Sequence, residues 1–200
     1  MNMQFSTEND FSSFKSFIAE KLSGRKKRSI DYPDYKKSAV MILFMEKEGS
    51  PHVLLTLRTD KVSTHKGQVS FPGGRYDSTD KNFLDTALRE TMEEVGIPPE
   101  EIEVLGEFDE YISIAGYHVY VYVGALNSVQ QYSESEDEIE EILEVPFSIF
   151  YNEEYNRCEK ITHEGREYDV YFYEYGHSTI WGMTARILTD FARKIYKRDE

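Results

Sequence analysis

The chain has 200 residues, of which 40% are hydrophobic and 30% charged, with a formal net charge of −14 at pH 7. This length and apolar content suit one globular domain with a real buried core. The acidic balance disfavours a nucleic-acid-binding protein, because affinity for phosphates rests on clustered Lys and Arg. An anionic small substrate would need local basic residues or a bound metal to approach.

Targeting and redox features are few. The N-terminus lacks the basic and apolar layout of a signal peptide, and no apolar run reaches the about 18 residues of a membrane span. The expected location is the cytoplasm, without membrane or nucleic-acid partners. The single cysteine, Cys158, excludes an intrachain disulfide and a cysteine-based zinc site. The oligomeric state stays open, a homodimer included.

The first predicted element is an amphipathic helix from Thr7 to Leu22, with Phe11, Phe14 and Ile18 on its apolar face. The basic cluster Arg25–Arg28 follows. It has two interpretations, a solvated loop or a patch that steers phosphates towards an otherwise acidic protein.

The next elements are predicted strands. The run from Ser38 to Met45 is nearly all apolar, which is typical of a strand buried on both faces. Together with His52 to Arg58 it predicts a hairpin turned at Gly49-Ser50-Pro51. Gly67 to Phe71 is a short extended piece. After an intervening helix, Ile102–Ile112 and Tyr117–Leu126 form a second predicted strand pair.

The C-terminal third begins with the most acidic stretch, residues 132–144, part of which is predicted to be a loop. A short helix from Val145 to about Tyr151, a hairpin of Cys158–Thr162 with Tyr168–Tyr175, and a closing helix from Ile180 to Tyr196 follow. This order predicts an α+β sandwich in which helices cover a mixed sheet. We expect a single domain over residues 1–200, with an N-terminal helix and basic loop in 1–30 and a core in 38–188.

The helix between the strand pairs spans about Asn82 to Val95. Its apolar stripe consists of Leu84, Leu88, Thr91 and Val95. The turn Pro72-Gly73-Gly74 precedes it, and Gly96 is a suitable residue to end it, because Pro98 and Pro99 prevent continuation.

Three acids on this helix predict a metal site. Glu90, Glu93 and Glu94 fall within an arc of about 100°, rotated away from the apolar stripe. Converging carboxylates are ligands for a hard divalent cation such as Mg²⁺. The alternative interpretation is a solvated acidic face in an acidic protein.

This segment resembles the Nudix box, G-x5-E-x7-R-E-U-x-E-E-x-G-U, where U is a bulky apolar residue. The second half matches at Arg89, Glu90, Glu93, Glu94, Gly96 and Ile97, with Thr91 at a U position. The first half departs from the pattern, because Lys81 occupies the position of the early Glu and Arg75 that of the leading Gly.

The upstream stretch is similar to the signature of coenzyme A pyrophosphatases within that superfamily, L-L-T-x-R-[SA]-x3-R-x3-G-x3-F-P-G-G. The matching residues are Leu54, Leu55, Thr56, Arg58, Gly67, Phe71, Pro72, Gly73 and Gly74. Thr59 replaces Ser or Ala, and Ser63 stands where a second Arg is expected, which removes a charge that could contact a substrate phosphate. Arg58 ends a strand, where a guanidinium can reach a pyrophosphate, although a surface ion pair is the alternative.

The resemblance implies a Nudix-like α/β/α sandwich and a metal-dependent pyrophosphatase that cleaves coenzyme A to adenosine 3′,5′-bisphosphate and 4′-phosphopantetheine. It implies Mg²⁺ or Mn²⁺ on Glu90 and Glu94, with Glu93 as a further ligand or as the base that orients water. Arg89 is expected to pair with Glu93 four residues later. Glu138 is a candidate remote base or ligand, or else a solvated loop acid. The expected substrate-binding residues are Arg58, Gly67, Gln68, Gly73 and Gly74.

Two rival functions stay open. One is a Nudix hydrolase of another nucleoside diphosphate derivative, such as ADP-ribose or NADH, which the serine at position 63 favours. The other is a catalytically silent module that binds a nucleotide. The three intact acids of the helix argue against silence, since their mutual repulsion has no structural benefit without a metal.

Overall fold

A computed structural model of the chain describes residues 8–59, 67–127, 131–133, 135, 137–163 and 165–196. The helices are α1 (Glu8–Ser23), α2 (Phe83–Val95), α3 (Ser148–Tyr151) and α4 (Gly182–Phe191), and α4 continues as a wider π-helical turn over Ala192–Tyr196. The strands are β1 (Lys36–Lys47), β2 (Ser50–Arg58), β3 (Val69–Ser70), β4 (Gly73–Arg75), β5 (Ile102–Glu107), β6 (Tyr111–Ile112), β7 (Tyr117–Leu126), β8 (Ile139–Pro146), β9 (Arg157–His163), β10 (Arg166–Tyr175) and β11 (Ser178–Ile180).

The main sheet is mixed. Its order is β3-β2-β1-β7-β5, with β4 paired to β1, β6 to β7 and β8 to β2. Strands β1 and β7 run parallel, whereas the other pairings are antiparallel. A smaller antiparallel sheet, β11-β10-β9, contains the predicted C-terminal hairpin. The mixed sheet predicted from the element order is therefore confirmed.

Strand β1 lies at the centre because its side chains are apolar on both faces. Ile42 and Phe44 pack into a core with α1, α3 and α4, whereas Met41 and Leu43 pack into a separate core beneath α2. All four side chains are fully buried. Helices thus cover both faces of the sheet, and the expected α/β/α sandwich is confirmed.

Hydrogen bonds and ion pairs hold the basic cluster Arg25–Arg28 against the rest of the protein. Asp109, 1% exposed, accepts hydrogen bonds from the Arg25 guanidinium and the Arg28 amide, and from the Lys194 ammonium near the other end of the chain. Lys27 forms ion pairs with Glu107 and Glu110. Most of this cluster therefore serves as a structural strap. The predicted loop is therefore ion-paired to the protein instead of being fully solvated, and its steering of phosphates stays a prediction.

Several predicted boundaries need correction, including that of the short helix, which begins at Ser148 and not at Val145. Part of the acidic stretch is strand β8, because Ile139, Leu143 and Val145 are buried while Glu140 and Glu141 are exposed. The strand predicted over residues 102–112 breaks into β5 and β6, because Asp109 and Glu110 turn inward to bind the strap. The first hairpin turns at residues 48 and 49, one step earlier than predicted.

The terminal helices largely follow the prediction. Helix α1 buries Phe11, Phe14 and Ile18, although Thr7, its predicted start, lies outside the described residues. The predicted closing helix is divided, since its first residue belongs to β11 and the helix itself begins at Gly182. Within the described part of the chain, none of the helices has the length and apolar character needed to cross a bilayer.

Candidate active site

Helix α2 carries the acidic residues and is capped at both ends. The Asn82 side chain accepts a hydrogen bond from the Asp85 amide at 3.0 Å. Gly96 ends the helix in the left-handed conformation, with φ of 73°, and its amide donates to the Met92 carbonyl at 3.0 Å. Both predicted helix ends are confirmed.

The buried face of α2 differs from the predicted stripe. Thr91 and Val95 are buried as expected, but Leu84 and Leu88 are only partly buried. Glu94, which was predicted to lie away from the apolar face, is 3% exposed. It is directed at strand β4, where a glycine amide binds its carboxylate. The acidic face of α2 therefore extends from the surface into the protein interior. This excludes the alternative in which all three acids of the helix are solvated.

Gly74 and Glu90 meet where β4 passes beneath α2. A Cβ on residue 74 would overlap the Glu90 carboxylate, so this position requires glycine for the close approach. Burial raises the pKa of Glu90, although the neighbouring Arg89 guanidinium, 2.9 Å away, opposes that rise. The turn before the helix thus determines where this carboxylate lies.

Glu94 is held by two residues of the upstream motif. Its Oε1 accepts from Arg58 Nη1 at 3.0 Å, and its Oε2 accepts from the Gly73 amide at 3.1 Å. Burial raises the pKa of Glu94 to about 7, against the opposing effects of Gly73 and Arg58, and the charges of Glu90 and Glu138 add to the rise. A carboxylate has about four lone-pair positions, so two remain for another ligand.

Arg89 connects the helix to the loop before it. Its Nε and Nη2 donate to the two oxygens of Asp80 at 2.8 and 3.1 Å, and Nη2 also donates to the Arg75 carbonyl at 3.2 Å. Nη1 donates to Glu93 at 2.9 Å, which is the contact predicted from their spacing. The guanidinium, together with the Asp77 amide and the Thr86 hydroxyl, holds the pKa of the buried Asp80 carboxyl well below its usual range.

Arg58 lies at the end of β2 among carboxylates. Besides Glu94, its Nη2 is 3.5 Å from Glu138, whose side chain is 51% exposed. Its Nε is buried and has no acceptor within the described residues. The ion-pair interpretation of Arg58 is therefore correct for this structure, and its contact with a substrate stays a prediction. Glu138 lies in the turn that leads into β8, close enough to the acids of α2 for its charge to raise the pKa of both Glu90 and Glu94.

The glycine amides of the motif are already hydrogen-bonded. Gly67 donates to the Arg58 carbonyl at 3.1 Å, and the Gln68 carbonyl accepts from the Arg58 amide at 3.1 Å. The Gly67 amide therefore closes a hairpin and the Gly73 amide binds Glu94, while direct contact of either residue with a substrate stays a prediction. Ser63, inside the loop that this hairpin closes, lies outside the described residues.

The three helix acids fit a divalent cation by donor type. They are oxygen ligands, and the pKa of both Glu90 and Glu94 is raised, which a nearby cation would reverse. Within the described part of the chain, no three acidic, histidine or cysteine side chains converge as a ready-made metal cluster. Glu93 is instead turned to Arg89. The residues therefore suit a metal, but their oxygens are not gathered around one point.

Asp80 is a site residue that the sequence analysis did not assign. The box register gives its acidic position to Lys81, which is exposed, whereas the residue before it supplies the carboxylate. An open cleft of about 550 Å³ lies beside the ion pair of Asp80 and Arg89. It is lined by Arg75, Tyr76, Asp77, Ser78, Arg89 and Glu90.

The chain is similar to known proteins over most of its length. Residues 35–173 match the NUDIX domain. The chain is 37% identical to the uncharacterized Nudix hydrolase NudL of Enterobacter sp. (strain 638) over 171 residues, 86% of this chain and 88% of that protein. It is also 37% identical over 170 residues to Nudix hydrolase 22, chloroplastic, of Arabidopsis thaliana, covering 82% of this chain and 56% of the relative.

The fold is also similar to solved structures. A MutT/nudix family protein from Enterococcus faecalis superposes with a TM-score of 0.54 at 19% identity, over 97% of this chain and 76% of that one. At this identity the likeness concerns the fold alone. The domain match and the sequence relatives carry the assignment: the chain belongs to the Nudix hydrolase family, whose enzymes hydrolyse pyrophosphate bonds in nucleoside diphosphate derivatives and in general use divalent metal ions.

Proposed function

We propose that this protein is a metal-dependent pyrophosphatase that hydrolyses coenzyme A, or its acylated or oxidised forms, to adenosine 3′,5′-bisphosphate and 4′-phosphopantetheine or its derivative. The observation that carries the proposal is the meeting of two motifs at one carboxylate. Arg58 and Gly73, both from the coenzyme A pyrophosphatase-like signature, bind Glu94 of the Nudix helix. The signature thus takes part in building the site.

The acids of α2 have distinct proposed roles. Glu90 and Glu94 hold Mg²⁺ or Mn²⁺, because they lie side by side at i and i+4 with free lone pairs, and Glu93 is the third ligand. When bound, the cation supplies positive charge that neutralises the phosphate oxygens. The alternative role of Glu93 is that of the base that orients the attacking water, since its side chain is 57% exposed and can reach solvent.

The hydrolysis itself balances with one water. The water oxygen forms a bond to one phosphorus, the bond from that phosphorus to the bridging oxygen breaks, and the second phosphate leaves. The water proton passes to a carboxylate, for which Glu93 and the exposed Glu138 are the candidates. Arg89 positions Glu93 through their 2.9 Å contact.

The upstream residues are proposed to hold the substrate. Arg58 has a buried Nε without an acceptor among the described residues, which suits a phosphate oxygen that approaches when the site is filled. Gly67 and Gln68 close the hairpin beside Arg58. Gly74 contributes by leaving room for the Glu90 carboxylate. Gly73 contributes by letting β4 pack closely against β1 and by donating its amide to Glu94.

A substrate panel tests the substrate assignment. Purified enzyme would be incubated with Mg²⁺ or Mn²⁺ and with coenzyme A, ADP-ribose or NADH, and products would be separated chromatographically. We expect adenosine 3′,5′-bisphosphate and 4′-phosphopantetheine from coenzyme A. Because Ser63 lacks the expected arginine charge, ADP-ribose and NADH are the second candidates. Much faster consumption of either would overturn the coenzyme A assignment.

The variant Glu94→Gln tests the metal assignment and the silent-module alternative together. We expect turnover to fall at least about 100-fold, since a neutral amide is a poor Mg²⁺ ligand. Glu100→Gln, on the exposed turn after the helix, is the matched control and should keep full turnover. Unchanged turnover of Glu94→Gln with Mg²⁺ present would exclude Glu94 as a ligand, and an inactive native enzyme across the panel would favour the silent module.

A further inference from the structure

Arg75 is a charged residue of the cleft to which neither sequence motif gives a role. It is the last residue of β4, directly after the Gly73-Gly74 pair, and it is exposed. It lines the open cleft together with Glu90 and Arg89. Its backbone is fixed, because its carbonyl accepts from Arg89 Nη2 at 3.2 Å and the next amide, that of Tyr76, donates to the Lys37 carbonyl of β1 at 3.0 Å.

Unlike the neighbouring arginines, Arg75 forms no ion pair with a carboxylate in the described part of the chain. The two other arginines of the site are neutralised, Arg58 by Glu94 and Glu138, and Arg89 by Asp80, Glu90 and Glu93. Within the described residues, no carboxylate lies within ion-pair distance of the Arg75 guanidinium, although the chain carries a net charge of −14. An exposed, uncompensated guanidinium beside a cluster of carboxylates is suited to bind an anion that approaches that cluster.

We infer that Arg75 binds the pyrophosphate of the substrate and supplies the positive charge that the signature-like segment lacks at Ser63. The guanidinium offers paired N–H donors that match two phosphate oxygens. In an enzyme this acidic, such a group offsets the repulsion between Glu90 and a dianionic diphosphate. This inference rests on the proposed pyrophosphatase function but not on coenzyme A, since ADP-ribose and NADH contain the same group.

The variants Arg75→Ala and Arg75→Lys test the inference. We expect Arg75→Ala to raise KM about 10- to 100-fold, with kcat changed less than about threefold, because a lost charge-assisted contact made before the reaction weakens binding. Arg75→Lys should recover part of the loss. Lys81→Ala removes the same charge from an exposed residue of the same loop outside the cleft lining, and it should leave KM within about twofold of the native value.

Two further measurements separate phosphate binding from other roles. Inorganic pyrophosphate, used as a competitive inhibitor, should inhibit Arg75→Ala about 10-fold less well than the native enzyme, while thermal unfolding by circular dichroism stays unchanged. The KM effect should be equal for coenzyme A and dephospho-coenzyme A. A loss confined to coenzyme A would assign Arg75 to the 3′-phosphate and overturn the inference.

The outcomes also separate this inference from the substrate assignment. If the panel shows that ADP-ribose and not coenzyme A is cleaved, the same variants are measured with ADP-ribose, and the KM rise is still expected. Equal KM values for Arg75→Ala and Lys81→Ala, or a fall in kcat at unchanged KM, would overturn the role of Arg75 whichever substrate is used.

Discussion

Arg89 binds Asp80 through two parallel hydrogen bonds, Nε to Oδ1 at 2.8 Å and Nη2 to Oδ2 at 3.1 Å. Asp80 is buried and also accepts from the Asp77 amide and the Thr86 hydroxyl. The paired geometry leaves the guanidinium little rotational freedom. The helix residue that orients Glu93 is therefore itself oriented by the loop that lines the cleft.

The variant Asp80→Asn should reduce both activity and stability. The amide replaces one of the two accepting oxygens of Asp80 with an NH2 donor, so the paired contact with the guanidinium is lost and Arg89 would lose its orientation. We expect a fall in kcat of at least about 10-fold and a loss of about 1–3 kcal/mol in the free energy of unfolding, a range that allows for the partial exposure of Arg89. Urea unfolding and steady-state kinetics would measure the two effects.

The control for this variant is Asp77→Asn, in the same loop but exposed, with Thr79 as the partner of its side chain. It should leave the midpoint of urea unfolding close to that of the native protein. Equal effects of the two variants would show that the Arg89–Asp80 contact has no special role.

The variant Gly74→Ala should fold normally but lose activity. The added methyl group overlaps the Glu90 carboxylate, which can swing away because it is the end of a flexible side chain. We expect a folded protein whose kcat/KM falls about 100-fold or more, since the carboxylate loses its position. Circular dichroism and kinetics provide the two readouts.

Gly24→Ala is the matched control, because its added methyl group meets only the carbonyl of Glu20, far from α2 in the sequence. Its kcat/KM should equal that of the native enzyme. Full activity of Gly74→Ala would show that the position of Glu90 relative to β4 does not matter for turnover.

Asp109 should make stability depend on acid pH. Burial alone would raise its pKa, but the Arg28 amide, Arg25 and Lys194 outweigh burial and hold the pKa of Asp109 below its usual value. A depressed carboxyl pKa gives stability that is complete above the unfolded-state pKa of about 3.9 and is lost as pH falls through the folded-state value. Asp109→Asn should therefore cost about 2–3 kcal/mol at pH 7 and clearly less at about pH 3.

Urea unfolding at the two pH values measures this difference. Glu103→Gln, which removes the partner of Lys15 in an exposed ion pair, is the control and should cost less than about 1 kcal/mol at either pH. A cost for Asp109→Asn that is the same at both pH values would contradict the assigned role of its charge.

Strand β8 can be tested through one core residue. Leu143 is 6% exposed and packs in the core on the side of α1 and α4, so Leu143→Ala should cost about 2–4 kcal/mol. Glu141→Ala, two residues earlier and exposed, should cost less than about 0.5 kcal/mol. Urea unfolding of both variants distinguishes a packed strand from the acidic loop that the sequence suggested, for which the two costs would be alike.

Apolar patterning predicted most of the fold. Strand β1 was recognisable because both of its faces are apolar, and α2 because Gly96 and the prolines after it define its end. Strand β8 was missed because glutamates fill its outward positions, and composition alone resembles a loop. Its inward residues Leu143 and Val145 carried the alternating signal, which is weak because it covers only the second half of the strand.

The sequence predicted which residues form the site better than it predicted the burial and contacts of each of them. The acids of α2, Arg58 and Gly74 were all named, and the structure brings them together. The burial of Glu94 was not foreseeable from helical periodicity, because it depends on how closely β4 approaches. The role of Asp80 depends on the turn that directs its side chain inward, which a count of residues along the box cannot show.

The three bonds accepted by Asp109 also have a topological consequence. They join residues 25 and 28 to residue 194, so one side chain fastens the segment after the first helix to the last turn of the final one. This acts as a non-covalent clasp that closes a loop of most of the sequence. If either segment detaches from Asp109, the other segment loses support from the same side chain. The backbone amides of the two segments should therefore exchange hydrogen together and not one after the other.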